Sequence, residues 1–169
     1  GKLKTGTKAY YNITCIRKKA KKVYRNPRLR RWQQMLKAYK YRIYPTNEQK
    51  EQIAKTFGCC RFVYNRTLAY RKEAYEKEKK TVNKTNCNNY CNQVLKKEYG
   101  WLKEVDKFAL TNAVYNMDAA YQKFFKEHTG YPKFKSKHDG HQSYTTNFTN
   151  GNITADFDRG KVKLPKLKE

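Results

Sequence analysis

The chain has 169 residues, with 39 Lys and Arg against 14 Asp and Glu, and a formal net charge of +25. A soluble domain of this size ordinarily carries a net charge of about 2–8, so a polyanion is the expected partner, either nucleic acid or an anionic membrane. No apolar run approaches the ~18 residues that cross a bilayer, and no signal-peptide apolar core stands near the start.

Aromatic residues make up 15 % of the chain, including 15 Tyr. Rings beside Lys and Arg suit nucleic acid, because phosphates take the cations while bases and sugars meet the rings. The five cysteines are scattered: Cys15, the pair Cys59–Cys60, then Cys87 and Cys91. They form no C-x-x-C pair and no disulfide framework. A reducing, intracellular compartment is therefore expected, without a zinc site. On a helix Cys87 and Cys91 share a face, while only one of Cys59 and Cys60 is expected in the core.

Residues 1–34 hold twelve basic residues and no acid. With few apolar residues and no sustained period, they read as a basic, disordered arm. The organised region begins at Met35. Leu36 to Tyr44 alternates as a strand, with Tyr39, Tyr41 and Ile43 on one face and Lys40 and Arg42 on the other. Pro45 breaks it, and Thr46 with Gln49 reads as a capping box. A second helix is predicted from Phe57 after a brief pause. It carries Phe57, Cys60, Tyr64, Leu68 and Tyr75 at helical spacing, with Arg61 and Arg66 beside them.

Thr81 to Asn89 is rich in Asn and Thr, a composition that predicts a loop and a helix N-terminus. A helix follows from about Asn88 to Lys97, with Tyr90, Val94 and Leu95 inward. Asp106 is the N-cap of the clearest helix. Its stripe of Leu110, Ala113, Val114, Met117, Ala120, Tyr121 and Phe124 predicts core packing. Gly130 and Pro132 stop that helix. Lys133, Lys135 and Lys137 then alternate in a basic loop. Ser143 to Thr149 alternates as a strand, and Asn150–Gly151 offers a type I′ hairpin turn. Ile153 to Phe157 returns, Asp158–Arg159–Gly160 turns, and Val162 and Leu164 give a last strand. The predicted fold class is α+β: a small β-sheet or barrel of oligonucleotide-binding type, split by an inserted helical bundle.

These residues carry a resemblance. Tyr44–Pro45, the run Phe57-Gly58-Cys59-Cys60-Arg61-Phe62-Val63-Tyr64-Asn65 and the run Trp101-Leu102-Lys103-Glu104-Val105-Asp106-Lys107-Phe108-Ala109-Leu110 resemble the N-terminal half of the TnpB (OrfB) proteins of bacterial insertion sequences. Gly130-Tyr131-Pro132-Lys133-Phe134-Lys135, Ser143 to Thr149 and Lys163-Leu164-Pro165-Lys166-Leu167 continue the match in the same order. It spans Met35 to Leu167 and does not reach residues 1–34. The family, first described as transposases with an N-terminal helix-turn-helix, is identified with RNA-guided DNA endonucleases.

The resemblance implies a first wedge strand over 35–45, a helical recognition lobe over 46–137 and returning wedge strands over 138–169. It implies that Lys107, Phe108, Thr111 and Thr149 face target-adjacent DNA. Lys40, Arg42, Arg61, Arg66, Lys133, Lys135 and Lys137 would meet nucleic-acid backbone. Guide RNA and target DNA are the implied partners, in the bacterial cytoplasm beside the nucleoid. In the family, Mg2+ and Zn2+ belong to a RuvC-like nuclease domain after the Leu-Pro-Lys-Leu strand. No catalytic carboxylate set and no metal or other cofactor is expected over 1–169. Two alternatives stand beside this reading: a stand-alone helix-turn-helix regulator or transposase remnant without nuclease activity, and a membrane-surface protein held by the basic arm.

Overall fold

The computed structural model describes residues 11–22 and 32–167. They fall into two units, one ending at Thr46 and one beginning at Asn47. In the first, strand β1 (Tyr11–Lys22) pairs antiparallel with β2 (Trp32–Ile43). The register sets Ile13 opposite Tyr41 and Cys15 opposite Tyr39. Part of the arm predicted to be disordered is thus a strand. Ile13, Thr14 and Ile16 are β-branched, and a partner strand satisfies a backbone that an isolated basic segment leaves to water. Residues 1–10 and 23–31 of that predicted arm lie outside the described residues.

The second unit is organised on two helices, α1 (Asn47–Glu78) and α4 (Lys107–Glu127), which form its principal packed pair. α1 is one continuous helix of 32 residues where the sequence predicts two. Gly58 costs an interior helix about 1 kcal/mol relative to Ala. The buried stripe of Ile53, Thr56, Cys60, Val63, Tyr64 and Leu68 runs through that point and outweighs it. Cys59 is buried together with Cys60, because both neighbours are small enough to sit beneath α4, and the Cys60 thiol donates to the Ala109 carbonyl at 3.5 Å. Tyr75, predicted on the inner stripe, is exposed because α1 extends past the end of its packing surface.

Between these helices lie α2 (Lys84–Tyr90), a π-helical turn (Cys91–Leu95), the single turn α3 (Lys96–Glu98) and a 3-10 turn (Gly100–Glu104). The Asn-rich stretch supplies the predicted helix N-terminus, but the helix starts at Lys84 and not near Asn88, since the Asn83 side chain caps it by accepting from Asn86 N at 2.8 Å. Its inward stripe is Cys87, Cys91 and Leu95, all fully buried, and Val94 faces out. Cysteine here acts as a small apolar side chain.

Burial pushes the Cys60 thiol up to about 12 and those of Cys59 and Cys87 up to about 11. Thiolate at these positions is therefore scarce at pH 8. A disulfide reagent should leave all three unmodified in the native protein and reach them after denaturation; rapid native labelling would contradict their burial. Because the folded state holds these protons more tightly than an exposed thiol does, stability is full below pH ~9 and falls as pH rises through the folded values near 11–12.

α4 follows its predicted course. The Asp106 carboxylate accepts from Phe108 N and Ala109 N, both at 3.2 Å, and His128 ends the helix in the left-handed region at φ 50°. Leu110, Val114 and Met117 are fully buried and Tyr121 nearly so. Phe124 lies at the rim against Phe125 and Tyr131. The stripe drifts off the contact there, so Met117 is buried as predicted while Phe124 is only half-buried. Ser143 to Thr149 is extended without a strand partner among the described residues, and the described hairpin is β3 (Thr154–Asp156) with β4 (Lys161–Lys163). Asn112 accounts for the difference. Its side-chain amide donates to Thr145 O at 2.9 Å and Asn147 Oδ1 at 3.1 Å, so the segment is stapled to α4.

Candidate nucleic-acid interface

The start of α4 forms one wall of an open cleft of about 660 Å3. Lys107 and Phe108 lie on that wall, with the lysine Nζ 5.0 Å from the centroid of the phenyl ring. Thr149 lines the same cleft, forty-two positions along the chain from Lys107. Its placement follows from local chemistry. The Thr146 hydroxyl donates to the Asp106 carboxylate, and with the Asn112 amide this lays the extended segment across the first turns of α4. The chain then reverses through Asn150 and Gly151, at φ 49° and 72°, the positive pair that a type I′ turn requires. Asn152 closes the turn by donating its N–H to Thr149 O at 3.1 Å, while its side chain accepts from Thr149 N at 2.7 Å.

Lys103 and Lys166 also line this cleft and, with Lys107, have no carboxylate partner among the described residues. The first backbone N–H groups of α4 are spent on Asp106. The cleft therefore offers lysine charge, an aromatic edge and a threonine hydroxyl instead of a bare helix terminus. Thr111 is not part of the lining. It sits one turn further along α4, and its hydroxyl donates back to Lys107 O at 3.1 Å.

Arg61 and Arg66 meet in a second groove of about 500 Å3, beside Phe62 and Trp101. The loop carrying Lys133, Lys135 and Lys137 is pinned to the same helix by Asn65. That amide donates to Lys135 O at 3.0 Å and accepts from Lys135 N at 2.8 Å. Lys133, Lys135 and Lys137 are all exposed, and the Lys135 ammonium lies 4.6 Å from the Tyr64 ring centroid. In the first unit, Lys40 and Arg42 are exposed on β2, opposite Thr14 and Asn12.

Sequence reasoning missed Asn65 and Asn112, the two amides that hold loops against helices, and the cleft lysines Lys103 and Lys166. The available signal was an Asn inside a helical stripe, a poor helix former that is retained where its amide has work elsewhere. Among the described residues no three of His, Cys, Asp and Glu gather as metal ligands would, and no helix is long and apolar enough to cross a membrane.

A family model described as a helix-turn-helix domain, of the OrfB type, matches residues 35–80. In the structure that stretch is most of β2, a three-residue link and α1 as a single helix. The chain is 36 % identical over 138 residues to a presumed RNA-guided DNA endonuclease of Streptomyces pristinaespiralis, covering 81 % of this chain and 33 % of that protein. It is 27 % identical over 133 residues to a second such protein, InsQ of Escherichia coli, covering 78 % of this chain and 32 % of the relative. It is 39 % identical over 114 residues to the virulence protein VsdF of Salmonella dublin, covering 62 % of this chain and 96 % of that relative. The chain thus spans about a third of the length of the two endonuclease relatives and nearly all of VsdF. The helix-turn-helix match and these similarities together place it: the chain belongs to the TnpB (OrfB) family of insertion-sequence proteins.

Proposed function

We propose that this chain is the nucleic-acid-binding N-terminal portion of a TnpB-like RNA-guided DNA endonuclease, holding guide RNA on its basic surfaces and target-adjacent DNA in the Lys107 cleft. One observation carries the reading. Lys107 and Phe108 on α4 and Thr149 from the distant turn converge on one lysine-lined cleft. Lys107 supplies charge and hydrogen bonds, Phe108 an apolar edge and Thr149 a hydroxyl, the mix that reads base edges in a groove. Sequence along the target is left to pairing with the guide, and the lysines and arginines hold backbone and shape. The reading carries with it a wedge-like β-barrel split by the inserted lobe, and a place in the cytoplasm beside the nucleoid.

Cleavage is assigned to residues outside this chain. Two-metal hydrolysis needs convergent carboxylates around ions ~4 Å apart. Here Asp106 is an N-cap, Asp118 pairs with Arg71, and Asp156 accepts from the Asp158 and Arg159 backbone N–H groups in a turn.

The test joins the chain to the nuclease portion of a relative, loads guide RNA, and presents one fixed target flanked by randomised bases. Lys107→Ala and Thr149→Ala should each relax or shift the flanking-base preference, with about 1–3 kcal/mol lost at the affected position. Guide-RNA affinity should stay nearly unchanged. Two variants that retain the parental preference would remove the cleft from this role.

A further inference from the structure

The groove on α1 has a composition that duplex binding in the Lys107 cleft does not use. Trp101, in the 3-10 turn, is 38 % exposed and lines this groove. Its ring meets Phe62 at 5.0 Å and 64°, and Tyr99 at 5.9 Å and 63°. Both contacts are edge-type, so neither neighbour stacks on the indole. The floor is open at Gly58, where an added Cβ would meet nothing nearer than Arg61 Nη2 at 4.0 Å. Lys55 at the mouth is spent on Glu104. Arg61 and Arg66 remain, neither with a carboxylate partner among the described residues. A large, unstacked, partly exposed ring between two uncommitted guanidinium groups matches the stacking-plus-backbone pattern of single-strand binding.

From this placement we infer that the Trp101 groove binds single-stranded nucleic acid, stacking one unpaired base on the indole while Arg61 and Arg66 take the flanking phosphates. A paired base cannot offer its face, because its neighbours in the duplex cover it. The 3-10 turn gives the inference a further support. Trp101 lines this groove, while the next residues, Leu102 and Lys103, line the Lys107 cleft. One short turn is the wall between a cleft suited to a duplex and a groove suited to a strand leaving it. The inference rests on the reading that the chain binds nucleic acid, and adds to it a site selective for unpaired strands.

The experiment uses the full chain. Of its two tryptophans, Trp32 is replaced by Phe so that Trp101 alone reports. Titration with a short oligothymidylate should quench the emission, and a duplex of equal length should not. Trp101→Ala should weaken oligothymidylate binding by about five- to a hundredfold, and Trp101→Phe should recover most of it. Trp101→Leu, which keeps bulk against Phe62 and Tyr99 but has no ring, should bind as weakly as Trp101→Ala while keeping parental helical circular dichroism. Arg61→Gln with Arg66→Gln should weaken strand binding with the quench at saturation preserved. Equal quenching by duplex, or parental strand affinity in Trp101→Leu, overturns the inference while leaving the Lys107 cleft standing. Failure to bind any nucleic acid overturns the proposed function itself.

Discussion

Asp118→Ala should destabilise the helical unit by about 3–5 kcal/mol, far more than an ordinary surface substitution. Asp118 on α4 accepts from Arg71 on α1 at 2.8 Å, with only 15 % and 10 % of the two side chains exposed. The guanidinium also lies 4.1 Å from the centroid of the Tyr121 ring, sealed on one side by the core. Deleting the carboxylate leaves a cation that can neither lose its proton nor reach bulk water easily. The informative companion is the double replacement Arg71→Met with Asp118→Leu. It removes both charges and fills their space, so its stability should lie within about 1 kcal/mol of the parent or above it. Urea unfolding followed by helical circular dichroism measures both, with unchanged slopes as the check that unfolding remains two-state. A loss under ~1 kcal/mol for Asp118→Ala would show that water already screens the pair.

The parts of this unit that were legible in the sequence are those where one strong signal meets no competitor. α4 has a carboxylate at its N-cap and a stripe that keeps helical period through Met117, and both features survive in the structure. α1 reads as two helices with a pause before Phe57, yet Ile53 and Thr56 before that point and Cys60 and Val63 after it share one buried stripe on a single helix. α2 starts four residues before the predicted Asn88 because Asn83 caps it, and its inward stripe is written in Cys87 and Cys91, which read first as chemistry and only second as packing. Ser143 to Thr149 shows the limit of period-2 reasoning. Alternation marks an extended chain with two unlike faces, and it does not say whether a strand or the Asn112 amide holds it.

The site divides along the same line. The meeting of Lys107 and Thr149 depends on a staple and a turn between them, which no spacing rule encodes. It entered through resemblance. The Trp101 groove joins residues from Lys55 to Trp101, separated by a turn of helix and a 3-10 wall, and nothing local announced it. The Asn150–Gly151 reversal, by contrast, was readable, because few residue pairs tolerate positive φ at both positions.

Binding to a structured RNA hairpin or to duplex DNA should lose about 10³–10⁵ in affinity between 50 and 200 mM salt. The net charge of +25 places cations on β2, on α1 and on the loop after α4. Engagement of roughly 6–10 phosphates would release as many counterions, giving a slope of about −0.9 per contact in log affinity against log salt. Fluorescence anisotropy across a salt series measures it. The loop lysines then separate by what holds them. Lys133→Gln and Lys137→Gln should each reduce the slope by about one, since both side chains are exposed. Lys135→Gln should reduce it less, because that ammonium rests on the Tyr64 ring and its backbone is clamped by Asn65. All three should weaken different sequences alike, because phosphate contacts position a protein without reading bases. A slope near zero, or a Lys133→Gln variant that changes base preference and leaves the slope intact, would show that these lysines are not backbone contacts.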